Sequence, residues 1–190
     1  MSLRAVGIAG SPTAPSRSRA LVTRALSHLG DLGAETALID LAQLSADALL
    51  VRRTDAGVDA AIQQAIAADA LVVGTPVYRA TYSGQLKAFF DLLPQDALRG
   101  HVVGLIVTGY GDAHSLAADT GLRPLVASLR GLTAARSVYA TNAGFPDAAV
   151  IPAPLDAELR ALAEELAALG TALLPTRAAH SGAVRDPILR

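Results

Sequence analysis

Apolar residues along this chain fall into five short runs, separated by stretches in which they recur every three or four positions. The runs are 3–9 (Leu-Arg-Ala-Val-Gly-Ile-Ala), 34–41, 70–74 (Ala-Leu-Val-Val-Gly), 101–108 and 133–141. Short continuous runs of this kind predict strands, and the one at 70–74 reads as buried on both faces. Between the first two, Leu21, Val22, Ala25, Leu26 and Leu29 lie on one helix face over 19–29. Further helices are expected over 58–68, over 85–93 (closed by Pro94) and over 113–130. Asp156 is expected to cap a last helix whose Leu159, Leu162, Leu166, Leu169 and Leu173 face the sheet. Segment 42–57 is weakly patterned and reads as a surface excursion with a short turn near 46–51. Segment 142–154 reads as an irregular, Pro-containing connection.

Strands alternating with helices imply an α/β domain with a parallel sheet and right-handed crossovers. Five strands fit the doubly wound order 2-1-3-4-5, with helices on both faces. In that order ligands bind beyond the carboxyl ends of the strands, where the winding reverses between strands one and three. One domain is expected over 1–174. A tail follows over 175–190, either free or set against a neighbouring subunit.

Composition narrows the classes. With 52% hydrophobic residues in 190, a packed core is expected. The apolar runs are too short to span a bilayer, and no basic, apolar signal segment opens the chain. There is no cysteine, hence no disulfide framework and no thiolate metal site, and the cytoplasm is the expected compartment. A net charge of −1 with the two signs interspersed offers no stripe for nucleic acid or anionic membrane. It also argues against a strongly acidic electron shuttle. His28, His101, His114 and His180 are scattered, so no metal is expected.

The topology sets three loops side by side: 10–18, 75–84 and 108–112. The first reads Gly10-Ser11-Pro12-Thr13-Ala14-Pro15-Ser16-Arg17-Ser18, from a strand end into a helix start. The unpartnered N–H groups of a first helical turn, four hydroxyls and the Arg17 cation together suit a phosphate. The same residues also suit an ordinary turn with Ser16 or Ser18 as N-cap. Of the four tyrosines, Tyr78, Tyr82 and Tyr110 lie in the other two loops, and tyrosine packs well beside a flat ring. Pro76-Val77-Tyr78 offers rigid walls, and Gly84 and Gly109 let backbone approach a ligand. The N–H groups of Tyr110 and Gly111 suit negative charge on a reduced ring. Together these loops describe a site for a mononucleotide with a redox ring, FMN; the competing reading is three ordinary connectors. Ser11 and Ser83 lack a Gly-x-Ser-x-Gly turn, which disfavours a hydrolase.

The blocks Gly10-Ser11-Pro12…Ser16-Arg17-Ser18, Thr75-Pro76-Val77-Tyr78…Tyr82-Ser83-Gly84-Gln85-Leu86-Lys87 and Leu122-Arg123-Pro124 resemble those of the NADPH-dependent FMN reductases. The likeness is greatest to the alkanesulfonate-utilisation type and covers about 3–131. It implies a flavodoxin-like fold in which Ser11, Ser16, Arg17 and Ser18 hold the FMN phosphate. Pro76, Val77, Tyr78, Arg79 and Ser83 would then line the ring, with Thr108 and Gly109 on its other side. It further implies a homodimer or homotetramer with the helix after the fourth strand at an interface. Reduced flavin (FMNH2) would be supplied to a partner monooxygenase.

Two positions depart from the family pattern. Tyr110 stands where the pattern has a glycine, and its side chain either narrows the ring pocket or points to solvent. Thr120 stands where the alkanesulfonate type carries an inserted tyrosine in a π-bulge.

The reaction implied is hydride transfer from NADPH or NADH to FMN. The cofactor carries the chemistry, and no side chain is assigned as a catalytic acid or base. Arg17 and Arg79 are the candidates for cofactor phosphates, and no residue is assigned to the ribose 2′ position. Two alternatives stand beside this: an FMN-retaining NAD(P)H:quinone or azo-type reductase, and a flavodoxin-like electron carrier.

Overall fold

Strands form where consecutive residues are apolar, because such segments can be buried from both sides at once. The computed structural model describes the backbone of residues 2–180 and the side chains of residues 2–175. Its strands are β1 (Arg4–Ala9), β2 (Glu35–Asp40), β3 (Ala70–Pro76), β4 (Val102–Gly109) and β5 (Leu132–Thr141). They pair in parallel in the order β2-β1-β3-β4-β5, the doubly wound order that the alternation predicts. β4 is buried at every position and β3 at all but Pro76, so the centre of the sheet never meets water.

Among the described residues six α-helices cover it: α1 (Arg17–Asp31), α2 (Ala46–Leu49), α3 (Ala56–Ala67), α4 (Gly84–Asp91), α5 (Arg123–Ser128) and α6 (Ala153–His180). Alternation along the strands divides the core. Val6, Ile8, Leu71, Val73 and Leu105 pack with Val58, Phe89 and Val126 of α3, α4 and α5. Ala5, Ala70, Val72 and Ile106 pack with Leu21 and Leu26 of α1 and Leu162 and Leu166 of α6.

Glycines let α1 lie unusually close to the sheet. A Cβ on Gly7 would stand 2.6 Å from Val22 Cγ1, and one on Gly74 2.3 Å from Val22 Cγ2. Any side chain there would push α1 outward. Since α1 begins directly after the 10–16 loop, this close approach sets how far its first turn stands from the end of β3.

Three expectations are corrected. The stretch 113–130 is not one helix. It contains a 3-10 turn at Asp112–His114, a π turn at Ala118–Leu122 and then α5. Pro124 has no N–H to offer the preceding turn, while the Thr120 N–H and Oγ1 both donate to Leu116 O, at 2.9 and 3.0 Å. The stretch thus contains a π turn centred on Thr120, the residue that departs from the family's tyrosine. Second, Asp156 does not cap the last helix but lies inside its first turn. Third, α6 continues through Pro175 to His180, past the expected start of the tail; residues 181–190 of that tail lie outside the described residues.

β5 is an open edge with a register shift opposite Val103 and Leu105. Side chains occupy the backbone groups exposed there. Glu165 accepts from the Ala135 and Arg136 N–H groups, and Arg123 donates to the Ala134 and Ala135 carbonyls. Edge strands left bare invite pairing with other chains.

Asp156 joins α6 to α1. It accepts from Arg24 Nε at 2.7 Å, from Arg24 Nη2 at 3.0 Å and from His28 Nε2 at 2.8 Å. The Arg24 hydrogen bond first, and the His28 bond next, hold its carboxyl well below the usual carboxylate range against the opposing effect of desolvation. A group so depressed contributes its full stabilisation above the unfolded value, about pH 4, and loses it as pH falls towards the folded value. With 24% of the Asp156 side chain exposed, solvent screening holds this to about 1 kcal/mol. D156N is expected to lower Tm by roughly 2–4 °C at pH 7. The gap between variant and wild type should shrink below about pH 3, as thermal scans across pH will show.

Candidate active site

Beyond the carboxyl ends of β1 and β3, the chain must leave the sheet in opposite directions, and a crevice opens there. The two exits are tied together. The Gly10 N–H donates to Gly74 O at 2.7 Å. The buried Ser83 hydroxyl donates to Gly10 O and accepts from the Leu86 N–H at 3.1 Å, capping α4. The Ser83 N–H in turn donates to Thr75 Oγ1 at 3.0 Å. One serine thus clamps the 10–18 loop to the 75–84 loop.

A cavity of about 520 Å³ occupies the crevice, and Ser11, Ser16, Arg17, Ser18, Pro76, Tyr78 and Thr108 all line it. Seven of the thirteen residues expected at the site therefore meet on one surface. The other six stand around it. Ser83 lies behind the wall as the clamp just described. Val77 donates its N–H to Thr108 O at 2.8 Å and turns its half-buried side chain into the core. Arg79 sits at the tip of a turn, next in the chain to Tyr78, and is not on the lining. Gly109, Tyr110 and Gly111, which follow Thr108 in the chain, are not on the lining. The Tyr110 side chain is 87% exposed, which decides between its two expected placements in favour of solvent.

The serine-rich end has the makings of an anion site. Ser16 is the N-cap of α1 and accepts from the Arg19 N–H at 3.2 Å. That satisfies one orphan donor and leaves the rest of the first turn facing the cavity, and no acidic residue lies in that turn. Ser16 and Ser18 are joined through their hydroxyls at 3.2 Å, and the Ser11 hydroxyl donates to Thr13 O at 3.1 Å. The hydroxyls are thereby oriented before any ligand arrives.

Sequence reasoning missed one wall. Pro146, Asp147, Ala148 and Ala149 also line the cavity, as do Thr13 and Pro15. The fully buried Phe145 anchors this segment, and Arg17 Nη1 donates to its carbonyl at 3.5 Å. Asp147 stiffens it by accepting from the Ala149 N–H at 2.9 Å. The only signal in the sequence was that the segment leaves β5 at the same end of the sheet.

Tyr139, also unassigned from sequence, fixes the 109–111 strand end. Its hydroxyl donates to Gly111 O at 2.6 Å and stands 2.0 Å from where a Cβ on Gly109 would be. Burial first, and the Asp112 charge second, push the Tyr139 phenol above its ordinary range, so it stays a protonated donor. Among the described residues no group of three or more metal-ligating side chains occurs, and no helix is long and apolar enough to cross a membrane.

Comparison with known proteins gives a consistent answer. The family model for NADPH-dependent FMN reductase matches residues 3–145. The NADH-dependent FMN reductase SfnF of Pseudomonas fluorescens Pf0-1 is 38% identical over 178 residues, covering 91% of this chain and 95% of that protein. An FMN reductase (NADPH) of Escherichia coli K12 is 39% identical over 141 residues, 74% of each chain. The apo form of the NADH:FMN oxidoreductase EMOB superposes with a TM-score of 0.81 at 31% identity, covering 88% of this chain and 89% of that one.

The Tyr139 contact yields a direct test. G109A is expected to lower stability by about 1–3 kcal/mol in urea unfolding, since the added methyl collides with the phenol. The loss should shrink when Tyr139 is replaced by leucine in the same chain.

Proposed function

The chain belongs to the NADPH-dependent FMN reductase family, and on that premise we propose that FMN sits in the cavity between the 10–18 and 75–84 loops. Reduced FMN then leaves it to serve a monooxygenase. When bound, the flavin supplies the redox chemistry, accepting a hydride from the nicotinamide. The residues present fit such a group. Ser11, Ser16, Ser18 and the first turn of α1 would take its phosphate, with Arg17 supplying the positive charge. Pro76, Tyr78 and Thr108 would bound its ring. The 146–149 segment closes the cavity's remaining side, excluding water from part of the bound flavin.

The observation that carries the reading is the convergence of both loops on one cavity, with every hydroxyl of the family's phosphate block on its lining. Tyr78 lines the cavity and is 46% exposed, so that part of the lining meets solvent. An open mouth suits a flavin that comes and goes as a substrate better than one sealed in. Leu116, 64% exposed beside the π turn, and Tyr110 are large apolar side chains left in solvent, which supports assembly into a dimer or tetramer through that segment.

The purified chain is expected to lose its flavin on gel filtration and to oxidise NADPH or NADH steadily only when FMN is added in excess. Retention of stoichiometric flavin, with turnover on a quinone and none on free FMN, would overturn the release step and favour the quinone or azo-type alternative. Light scattering is expected to give the mass of a dimer or tetramer.

A further inference from the structure

The turn after Tyr78 is built against its own sequence. The Tyr78 N–H donates to Thr81 O at 2.8 Å and the Thr81 N–H to Tyr78 O at 3.2 Å, closing a two-residue loop. Its central residues, Arg79 and Ala80, both have left-handed backbones, with φ of 51° and 67°. Loops of this shape ordinarily take Asn-Gly or Gly-Gly, because side chains with a Cβ are strained there. The turn is held from two further directions. Val77 is bonded to Thr108 O, and Gly121 of the π turn abuts Thr81 and Tyr82 so closely that a Cβ would lie 2.9 Å from Thr81 Oγ1. A rigid support thus carries an arginine where glycine or asparagine would be more comfortable.

The guanidinium it carries is uncommitted. Among the described residues Arg79 has neither a hydrogen bond nor an ion pair, whereas Arg4, Arg19, Arg24, Arg99 and Arg123 each meet a carboxylate. Its neighbour Tyr78 lines the cavity, which puts Arg79 one residue from the lining, at the end given above to the ring. FMN has one phosphate, and the serine loop with Arg17 already accounts for it. A second cation on the ring-side loop therefore has no phosphate of the flavin left to meet. The other anionic ligand of the reaction is the nicotinamide dinucleotide, which must bring its own ring to the flavin through the open mouth. Resting on the placement of FMN given above, we propose that Arg79 is the residue that grips a phosphate of the incoming nicotinamide dinucleotide.

A phosphate could be met at the pyrophosphate common to NADH and NADPH or at the 2′-phosphate of NADPH alone, and binding measurements separate the two. NADP⁺ and NAD⁺ are titrated calorimetrically into the FMN-loaded chain, with wild type, R79A, R79K and R79G compared. R79A is expected to weaken NADP⁺ roughly 10- to 100-fold, the usual effect of losing a charge-assisted hydrogen bond. R79K should recover part of the loss. An equal loss for NAD⁺ assigns the contact to the pyrophosphate, and a loss confined to NADP⁺ assigns it to the 2′-phosphate. R79G removes charge and strain together. It is expected to bind the dinucleotide as poorly as R79A while keeping a Tm at or above wild type, which separates loss of the cation from damage to the turn. Unchanged affinity for both dinucleotides in R79A overturns the proposal. So does a loss of FMN affinity with dinucleotide binding intact, which would give Arg79 to the flavin. Failure of the wild-type chain to bind FMN would instead overturn the placement of the flavin itself, and is read from a separate FMN titration.

Discussion

The Ser83 clamp is the contact on which the site depends. Its hydroxyl has one proton and two lone pairs, and here it both caps a helix and holds the carbonyl of Gly10, while its N–H is taken by Thr75. The serine is buried, so water cannot substitute for either bond. Through it the start of α4, the end of β3 and the exit from β1 become one rigid piece. The serine-rich loop can therefore stay open towards the cavity without needing hydrophobic contacts of its own.

The rest of the site follows from how closely elements approach that piece. α1 is drawn onto the sheet at Gly7 and Gly74, which brings its first turn to the cavity. The segment after β5 is pulled across by Phe145 and touches Arg17, so a strand two places away from β3 still supplies a wall. The 109–111 strand end is held from outside by Tyr139. In each case the side chain that fixes the geometry is one layer behind the surface that a ligand would touch.

This layering explains what the sequence disclosed. The five strands were legible because central parallel strands are continuously apolar, and α1 because its buried face is regular. The serine loop was legible because four hydroxyls between a strand and a helix form a chemical pattern. Ser83 was recognised as part of the motif, but whether it faced the ring or the protein depends on a side-chain direction that spacing does not encode. Pro146 to Ala149 carry no pattern at all; only the burial of Phe145 puts them at the cavity. The 113–130 stretch keeps helical spacing of the buried Ala118, Leu122 and Val126 while its hydrogen bonding changes twice. Periodicity reports which residues are buried and is blind to which carbonyl an N–H has chosen.

The tyrosines have an optical consequence. The chain has no tryptophan, and its four tyrosines all lie towards the carboxyl end of the sheet: Tyr78 on the cavity lining, Tyr82 and Tyr110 in the loops after β3 and β4, and Tyr139 bonded to Gly111. Tyrosine emission from this protein therefore originates at that end of the sheet. A yellow chromophore entering the crevice would drain that emission by energy transfer, giving an intrinsic, label-free gauge of occupancy.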